Sequence, residues 1–334
     1  MQHFRLSFFV TALCLAAAFY WGGVIGAFIA IILGVLEVSL SFDNAVVNAS
    51  ILKRMDERWQ QYFLTWGILI AVFGMRLLFP IAIVAIATGI GFVGVTDMAL
   101  HDPETYARHL TDSHVQIAAF GGMFLLMVFF SFILDEGKEL HWLGKIEEKV
   151  ASFGKLESIE IILALGLLLI TQTLLPQEIR LDALVAGVSG LILFVIVDSL
   201  SALFEEEEEG EELATALKKG SVMSFLYLEV LDASFSFDGV IGAFAITQDV
   251  VIIMLGLAIG AMFVRSLTVY LVRQGTLDEY VFLEHGAHYA IGALAAIMLI
   301  SMNHHIPEVV TGLIGAVLIG LSVFSSIRYK NKHV

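Results

Sequence analysis

Glu37-Val-Ser-Leu-Ser-Phe-Asp43 and Asp232-Ala-Ser-Phe-Ser-Phe-Asp238 are two copies of one seven-residue pattern in a single chain. Each copy reads acid, any residue, Ser, any residue, Ser, Phe, Asp, and each lies inside a long apolar segment. Charged side chains in the hydrocarbon core of a bilayer are costly, so they are rare unless they have a partner or a task. The repeated pattern therefore predicts a membrane protein whose functional site holds or carries a cation.

The composition of the 334-residue chain favours the same class of protein. Hydrophobic residues make up 58% of the chain and the mean hydropathy is +0.88, whereas soluble domains are usually about 45–50% apolar. The single Cys excludes a disulfide framework and a Cys-based metal or redox site. Because the net charge is −15 and no basic patch occurs, we expect no nucleic-acid partner.

Length and hydropathy predict an all-α polytopic fold with about ten transmembrane helices in a lipid bilayer. The predicted spans are residues 5–21, 24–52, 61–90, 115–135, 159–175, 181–204, 221–246, 249–273, 286–302 and 308–327. Pro80 is the one proline within a span, where it is expected to kink the helix.

The 18 Lys and Arg residues predict the orientation of these spans. If the N-terminus is cytoplasmic, 14 of them fall inside, two fall outside and two lie within spans. Basic residues are enriched in cytoplasmic loops, so we expect both termini in the cytoplasm and the protein in a bacterial inner (plasma) membrane. Arg5 and the apolar run after it resemble a signal peptide, but the predicted turn at Gly22-Gly23 favours a retained span.

An acidic run separates two halves of the chain. Residues 1–204 form an N-terminal half with a first repeat hairpin over about 24–90. Residues 205–220 are predicted to be an acidic cytoplasmic linker. Residues 221–334 form a C-terminal half with a second repeat hairpin over about 221–273.

The repeat extends beyond the seven-residue pattern. Gly67 precedes Arg76 by nine residues after the first copy, and Gly256 precedes Arg265 by nine after the second. The copies lie on spans two and seven, which run in opposite directions, so we expect an inverted-topology repeat with its site near the midplane. Chance similarity between apolar helices is the alternative, and the matching order of acids, serines and arginine argues against it.

The six-residue spacing of the acids bears on helix shape. In an ideal α-helix, six residues rise about 9 Å and turn about 120° away from the starting face. Glu37 therefore aligns with Ser41, Asn44 and Asn48 rather than with Asp43. Either the helix breaks within the motif, or it is straight and carries two ligand sites at different depths. We favour broken helices at both copies, where unwound backbone would expose carbonyl ligands.

Carboxylate, hydroxyl and amide oxygens form a ligand set for hard cations. The candidate metal ligands are Glu37, Asp43, Asn44, Asp232 and Asp238, and further candidates are Ser41, Ser236 and Glu229. No His or Cys lies near the motifs, which argues against Zn²⁺ and Cu⁺.

Arg76 and Arg265 are candidates for gating or charge balance. If they reach the cavity of the four motif acids, two negative charges remain uncompensated, which matches one divalent cation. The alternative is a structural role, in which they pair with the acids or reach a lipid headgroup.

These residues resemble the TerC (tellurite-resistance) family of integral membrane proteins, within the LysE-like superfamily. The family's hallmark is an acid followed six residues later by Asp-Asn, with a similar acid pair in the second half. Glu37 and Asp43-Asn44 match the first pair, and Asp232 and Asp238 match the second. Gly239 stands where the first copy has Asn44. The resemblance implies efflux of Mn²⁺, or supply of metal to proteins during export.

The leading hypothesis is a non-enzymatic exporter of a divalent cation. Mn²⁺ is the favoured substrate, and Ca²⁺ and Mg²⁺ are alternative substrates. Export of small organic cations or amino acids is a second reading. Phe237-Asp238-Gly239 superficially suits an intramembrane aspartyl protease, and a metal-supplying partner of the secretion machinery is a further class. The sequence is also compatible with a homo-oligomer.

Overall fold

The structure is a computed structural model that describes residues 4–53, 55–156, 158–206, 213–304 and 306–333. These residues form helices joined by short turns, and they contain no strand. The all-α prediction is therefore confirmed for this part of the chain. Residues 207–212 of the predicted acidic linker lie outside it.

The helices are numbered here in chain order. They are α1 (Arg5–Leu40), α2 (Phe42–Leu52), α3 (Glu57–Leu69), α4 (Phe79–Thr88), α5 (Phe92–His101), α6 (Pro103–Asp112), α7 (His114–Ile133), α8 (Lys145–Ala151), α9 (Ile159–Thr173), α10 (Gln177–Glu206), α11 (Leu213–Ile246), α12 (Val250–Arg273), α13 (Thr276–Glu279), α14 (Leu283–Ser301) and α15 (Glu308–His333). The segment Ile70–Leu78 between α3 and α4 is π-helical, and Ser152–Lys155 after α8 is a 3₁₀-helix.

The chain folds into two compact units. The first is built from Met1–His114 and Phe204–Gln274, which include α1 to α6, α11 and α12. The second is built from Val115–Leu203 and Gly275–Val334, which include α7 to α9, most of α10 and α13 to α15. Both predicted repeat hairpins therefore fall within the first unit.

Six of the described helices are long and apolar enough to cross a membrane, by length and composition. They are Arg5–Leu40, His114–Ile133, Gln177–Ser199, Val250–Arg273, Leu283–Ser301 and Val310–Asn331. Two shorter apolar helices are Arg76–Ile86 and Ile159–Thr173. The chain is therefore a membrane protein by its helices, and the number of ten spans stays a prediction.

Gly23 divides α1 into two arms. Its φ is 64° and its ψ is −155°, a conformation that glycine adopts readily and other residues only with strain. Ala18 before it and Ala30 after it pack on the same residue of α12, Ile252. The chain therefore reverses at Gly23, and the turn predicted at Gly22-Gly23 is confirmed.

The first motif copy interrupts its helix at Ser41. This residue has φ −104° and ψ 22°, with α1 ending just before it and α2 beginning just after it. The break predicted in the first copy is confirmed. The second copy lies within the continuous helix α11, so the break predicted there is wrong. Arg265 contacts Glu229 and Asp232, which are three residues apart on one face of the helix, so this pair of acids converges on one cation without a break.

The segments that carry the two motif copies pack against each other in opposite directions. Gly239 of α11 lies beside Glu37 at the end of α1. Leu228 of α11 lies in the same apolar cluster as Leu52 at the end of α2. Residue numbers therefore rise along one segment and fall along the other. Antiparallel packing is what an inverted repeat requires, and the repeat itself stays a prediction.

Candidate cation site

A series of buried ion pairs in the first unit begins at Glu37 and Arg76. Glu37 lies in the last turn of α1, and Arg76 lies in the π-helical segment Ile70–Leu78. The Nη2 group of Arg76 donates a hydrogen bond to Oε1 of Glu37. Only 4% of Glu37 and 6% of Arg76 are exposed. Two opposite charges from different elements are therefore held together inside the protein.

Asp232 faces both arginines of the repeat. Its Oδ2 atom lies 3.8 Å from Nη1 of Arg76 and 3.4 Å from Nη2 of Arg265. Asp232 belongs to the second motif copy, whereas Arg76 follows the first. One carboxylate oxygen is therefore shared by two guanidinium groups, and it links the two copies.

Arg265 of α12 contacts two acids, one backbone carbonyl group and one aromatic ring. Its Nη2 atom lies 3.1 Å from each carboxylate oxygen of Glu229, and its Nη1 atom donates to the carbonyl oxygen of Phe63 at 2.9 Å. Its guanidinium carbon lies 4.1 Å from the centre of the Phe63 ring, which is cation–π geometry. Glu229, suggested by sequence only as an additional ligand, is thus a principal partner of Arg265.

Asp43 is buried beside the break at Ser41. It is 9% exposed and accepts the backbone N–H of Asn44 at 3.0 Å through Oδ1. Within the part of the chain that the structure describes, no Lys or Arg lies within ion-pair distance of Asp43. Among the described side chains, Asp43 is therefore a motif acid whose charge no arginine compensates.

The second copy is described only in part. The side chains of Ser236 and Asp238 lie outside the described residues, although their backbone belongs to α11. Their roles as ligands stay predictions, and the acids that the structure brings together are Glu37, Glu229 and Asp232.

Glycines allow close approach to the buried acids. A Cβ atom at Gly239 would lie 2.8 Å from Oε2 of Glu37, and one at Gly67 would lie 2.7 Å from Oε1 of Glu229. A Cβ atom at Gly260 would also collide with the Glu37 side chain. The repeat had marked Gly67 by its spacing alone, and its physical reason is this contact with the acid layer.

The described residues contain no group of three or more His, Cys, Asp or Glu side chains placed to hold a metal ion. The reason is that arginines contact Glu37, Glu229 and Asp232. The carboxylate and amide oxygens of this site are a hard-ion donor set.

The second unit contains a separate buried ion pair. The Nζ atom of Lys138 lies 2.7 Å from Oε1 of Glu147, and the backbone N–H of Leu143 donates to Oε2 at 3.0 Å. Nε2 of His285 lies 2.9 Å from the carbonyl oxygen of Leu140. Burial acts to raise the pKa of Glu147, but the Lys138 ammonium and the Leu143 N–H outweigh it and hold that pKa below its ordinary value. The pair fastens α8 within its unit.

The model of a family described as a protein of unknown function, DUF475, matches residues 42–333. The matched range begins after Glu37 and includes Asp43, Arg76 and the whole second motif copy. No curated protein and no solved structure matches the chain.

Proposed function

We propose that this chain, which belongs to the DUF475 family, is a membrane transporter that exports a divalent metal cation, with Mn²⁺ as its preferred substrate. Ca²⁺ and Mg²⁺ compete as ions of the same hard-oxygen class. In this proposal the cation is cargo and the protein catalyses no reaction.

The observation that carries the proposal is the charge of the buried site. Among the described side chains of the first unit, which do not include Asp238, four buried carboxylates stand against two buried guanidinium groups. At least two negative charges are therefore left uncompensated among them when all are ionised. These residues are Glu37, Asp43, Glu229 and Asp232, with Arg76 and Arg265. Uncompensated buried charge is strongly destabilising, so a divalent cation is the ligand that best balances the site.

The geometry supports an exchange mechanism. Asp43, which no arginine contacts among the described residues, offers the first anionic ligand to an arriving cation. The cation then displaces Arg76 from Glu37, and Arg76 keeps its second carboxylate, Asp232. Protonation of the occupied carboxylates releases the ion and allows the guanidinium group to return. The arginine thus replaces the cation between transport cycles and keeps the empty site from holding an excess of charge.

The same proposal includes the arrangement in the membrane. We propose ten spans, cytoplasmic termini, an inverted repeat and a bacterial inner membrane location. The antiparallel packing of α11 against the end of α1 and α2 supports the repeat. The resemblance of the motif to the TerC family supports Mn²⁺ as the substrate.

The test is the Asp43→Asn variant, with Asp112→Asn as the matched control because Asp112 is an exposed carboxylate of the same unit. Cells that express the parent chain should hold less Mn²⁺ and survive higher external Mn²⁺ than cells without it. Asp43→Asn should abolish this protection at equal protein level in the membrane, and Asp112→Asn should keep it.

Whole-cell contents of Mn, Mg, Ca and Zn identify the ion in the same experiment. The proposal is wrong if Asp43→Asn protects cells as well as the parent does, or if the parent changes the content of none of these metals. In the second case, export of small organic cations becomes the leading function.

A further inference from the structure

Asn48 on α2 is a buried polar residue that neither the motif nor the proposed function uses. It is 0% exposed, and neither its Nδ2 nor its Oδ1 atom has a hydrogen-bond partner among the described residues. Buried amides are nearly always paired, because an unpaired one loses its water without replacement. An amide with both atoms unpaired therefore points to a ligand of the protein.

The packing of α2 against α11 shows which residues of α11 lie at the same depth in the first unit as Asn48. Glu37 lies beside Gly239, and Leu52 packs in one cluster with Leu228. Asn48 is one helical turn before Leu52, and the residue one turn after Leu228 on the antiparallel helix is Asp232. Counting from Leu52 and Leu228 sets Asn48 level with Asp232, and counting from Glu37 and Gly239 sets it level with Leu228. Asn48 therefore lies beside the stretch of α11 that carries Glu229 and Asp232.

The packing of α2 against α12 gives a second range for the depth of Asn48. Leu52 and Val269 belong to one apolar cluster. The two helices run in the same direction, since Gly260 lies beside Glu37 and Val269 beside Leu52. One turn before Val269 is Arg265. Counting from Glu37 and Gly260 sets Asn48 level with residue 271 instead, so Asn48 lies beside residues 265–271 of α12, a stretch that begins with Arg265.

We propose that Asn48 is a ligand of the transported cation at this inner level. The proposal rests on the proposed function and adds a second binding level below the break at Ser41. The amide oxygen coordinates the cation, and the amide N–H group donates to a carboxylate oxygen that Arg265 has released. The Nδ2 and Oδ1 atoms of Asn48, which have no hydrogen-bond partner among the described residues, then both have a partner in one state of the transport cycle.

The chemistry of an amide ligand in a fully buried position also favours one ion over another. Mg²⁺ gives up its water reluctantly and keeps several water molecules when it binds, whereas larger cations accept a protein shell more readily. A level without exposure to solvent requires the cation to exchange water for protein oxygens. Asn48 therefore selects Mn²⁺ against Mg²⁺, and it is a specificity-determining residue in this proposal.

The decisive variant is Asn48→Leu, which keeps the branching of the side chain at Cγ and removes its polar atoms. Asn303→Leu is the control, because Asn303 is exposed. Purified parent and variants in detergent micelles are titrated with MnCl₂ and, separately, with MgCl₂, and the thermal unfolding midpoint reports binding. Without metal, Asn48→Leu should unfold at the same temperature as the parent or higher, since it no longer buries an unpaired amide.

With metal, Asn48→Leu should bind Mn²⁺ roughly tenfold more weakly or worse, as expected for loss of a metal ligand. Mg²⁺ binding should change less, so the ratio of the two affinities should fall. Asn303→Leu should match the parent in all measurements.

Two outcomes overturn the inference alone. One is parental Mn²⁺ affinity in Asn48→Leu while Asp43→Asn has lost binding. The other is an unfolding midpoint of metal-free Asn48→Leu far below the parent, which would show that the amide is a structural element. If the parent binds neither ion and Asp43→Asn still protects cells, the proposed function fails together with the inference.

Discussion

Replacing Arg265 with Met tests whether the buried ion pairs hold the first unit together. Met keeps an unbranched apolar stem and removes the guanidinium group. Glu229 and Asp232 then lose contacts of 3.1 Å and 3.4 Å, and the carbonyl oxygen of Phe63 loses its donor at 2.9 Å. We expect a large loss of stability, because Glu229 loses the guanidinium group that faces it and Asp232 keeps only Arg76, at 3.8 Å.

The size of the effect follows from these contacts. Removal of one partner from a buried ion pair costs about 3–5 kcal/mol, and the lost stacking on Phe63 adds about 0.5–2 kcal/mol. The free energy of unfolding should therefore fall by roughly 4–7 kcal/mol. Neutralising the main partner in the same chain, as in Arg265→Met with Glu229→Gln, should recover about 1–3 kcal/mol, in the range of coupled neighbours.

The assay is unfolding of the purified protein in detergent by heat and by denaturant, followed by the fluorescence of the four Trp residues. Arg328→Met is the matched control. Arg328 also stacks on a ring, 4.3 Å from the centre of Phe324, but it is exposed. Its loss should change stability by only about 0.5 kcal/mol. Equal midpoints for Arg265→Met and Arg328→Met would refute the reasoning, as would a double variant no more stable than Arg265→Met.

Three further substitutions test other parts of the structure. Gly239→Ala should lower Mn²⁺ export by about tenfold or more, because its Cβ atom would lie 2.8 Å from Oε2 of Glu37. Small misplacements of a group in a site reduce rates strongly. Export is measured as Mn²⁺ accumulation in everted vesicles. Gly23→Ala should lower the free energy of unfolding by about 1–3 kcal/mol, because alanine at φ 64° and ψ −155° is strained; denaturant unfolding measures it. The lowered pKa of Glu147 makes its pair with Lys138 stabilising at pH above the ordinary carboxyl value of 4.5. This stabilisation disappears as the pH falls through the lowered pKa. In Glu147→Gln, the thermal unfolding midpoint should therefore fall by less between neutral and acid pH than it does in the parent.

Each of these predictions has a control in the chain. Gly166→Ala matches Gly239→Ala, since a Cβ atom at Gly166 would meet nothing within 4 Å. Gly22→Ala matches Gly23→Ala, since its Cβ atom would make an ordinary contact of 3.4 Å with Ile252. Glu178→Gln matches Glu147→Gln, because Glu178 is exposed. A control variant that behaves like its partner would contradict the corresponding prediction.

The helices could be predicted from the sequence because long apolar runs and glycine or proline punctuation are local signals. The reversal at Gly23 is an example, since two adjacent glycines mark a turn regardless of what packs around it. The break at Ser41 was also predictable, because the acids of the first copy are spaced so that one helical face cannot hold both.

The residues that pair with the acids could not be predicted from the sequence as reliably as the helices. Which carboxylate meets Arg265 depends on the register of α11 against α12, and register is set by packing across the whole first unit. Glu229 was therefore underestimated, although its spacing from Asp232 places both on one helical face. The break expected in the second copy was wrong, and the acid that meets Asp232 at Arg265 is Glu229, one helical turn away, rather than the second acid of the motif.

The π-helical segment that carries Arg76 gives this site a means of movement. A π-helical turn contains one more residue than an α-helical turn, and such turns recur at functional sites. Relaxation of Ile70–Leu78 to α-helical hydrogen bonding would advance the chain by one residue and rotate Arg76 by roughly 100° about the helix axis. The same small shift would withdraw the guanidinium group from Glu37 and leave α1 and α12 in place. Arginine and cation could then alternate at one carboxylate through a change of helical register, without a large displacement of whole helices.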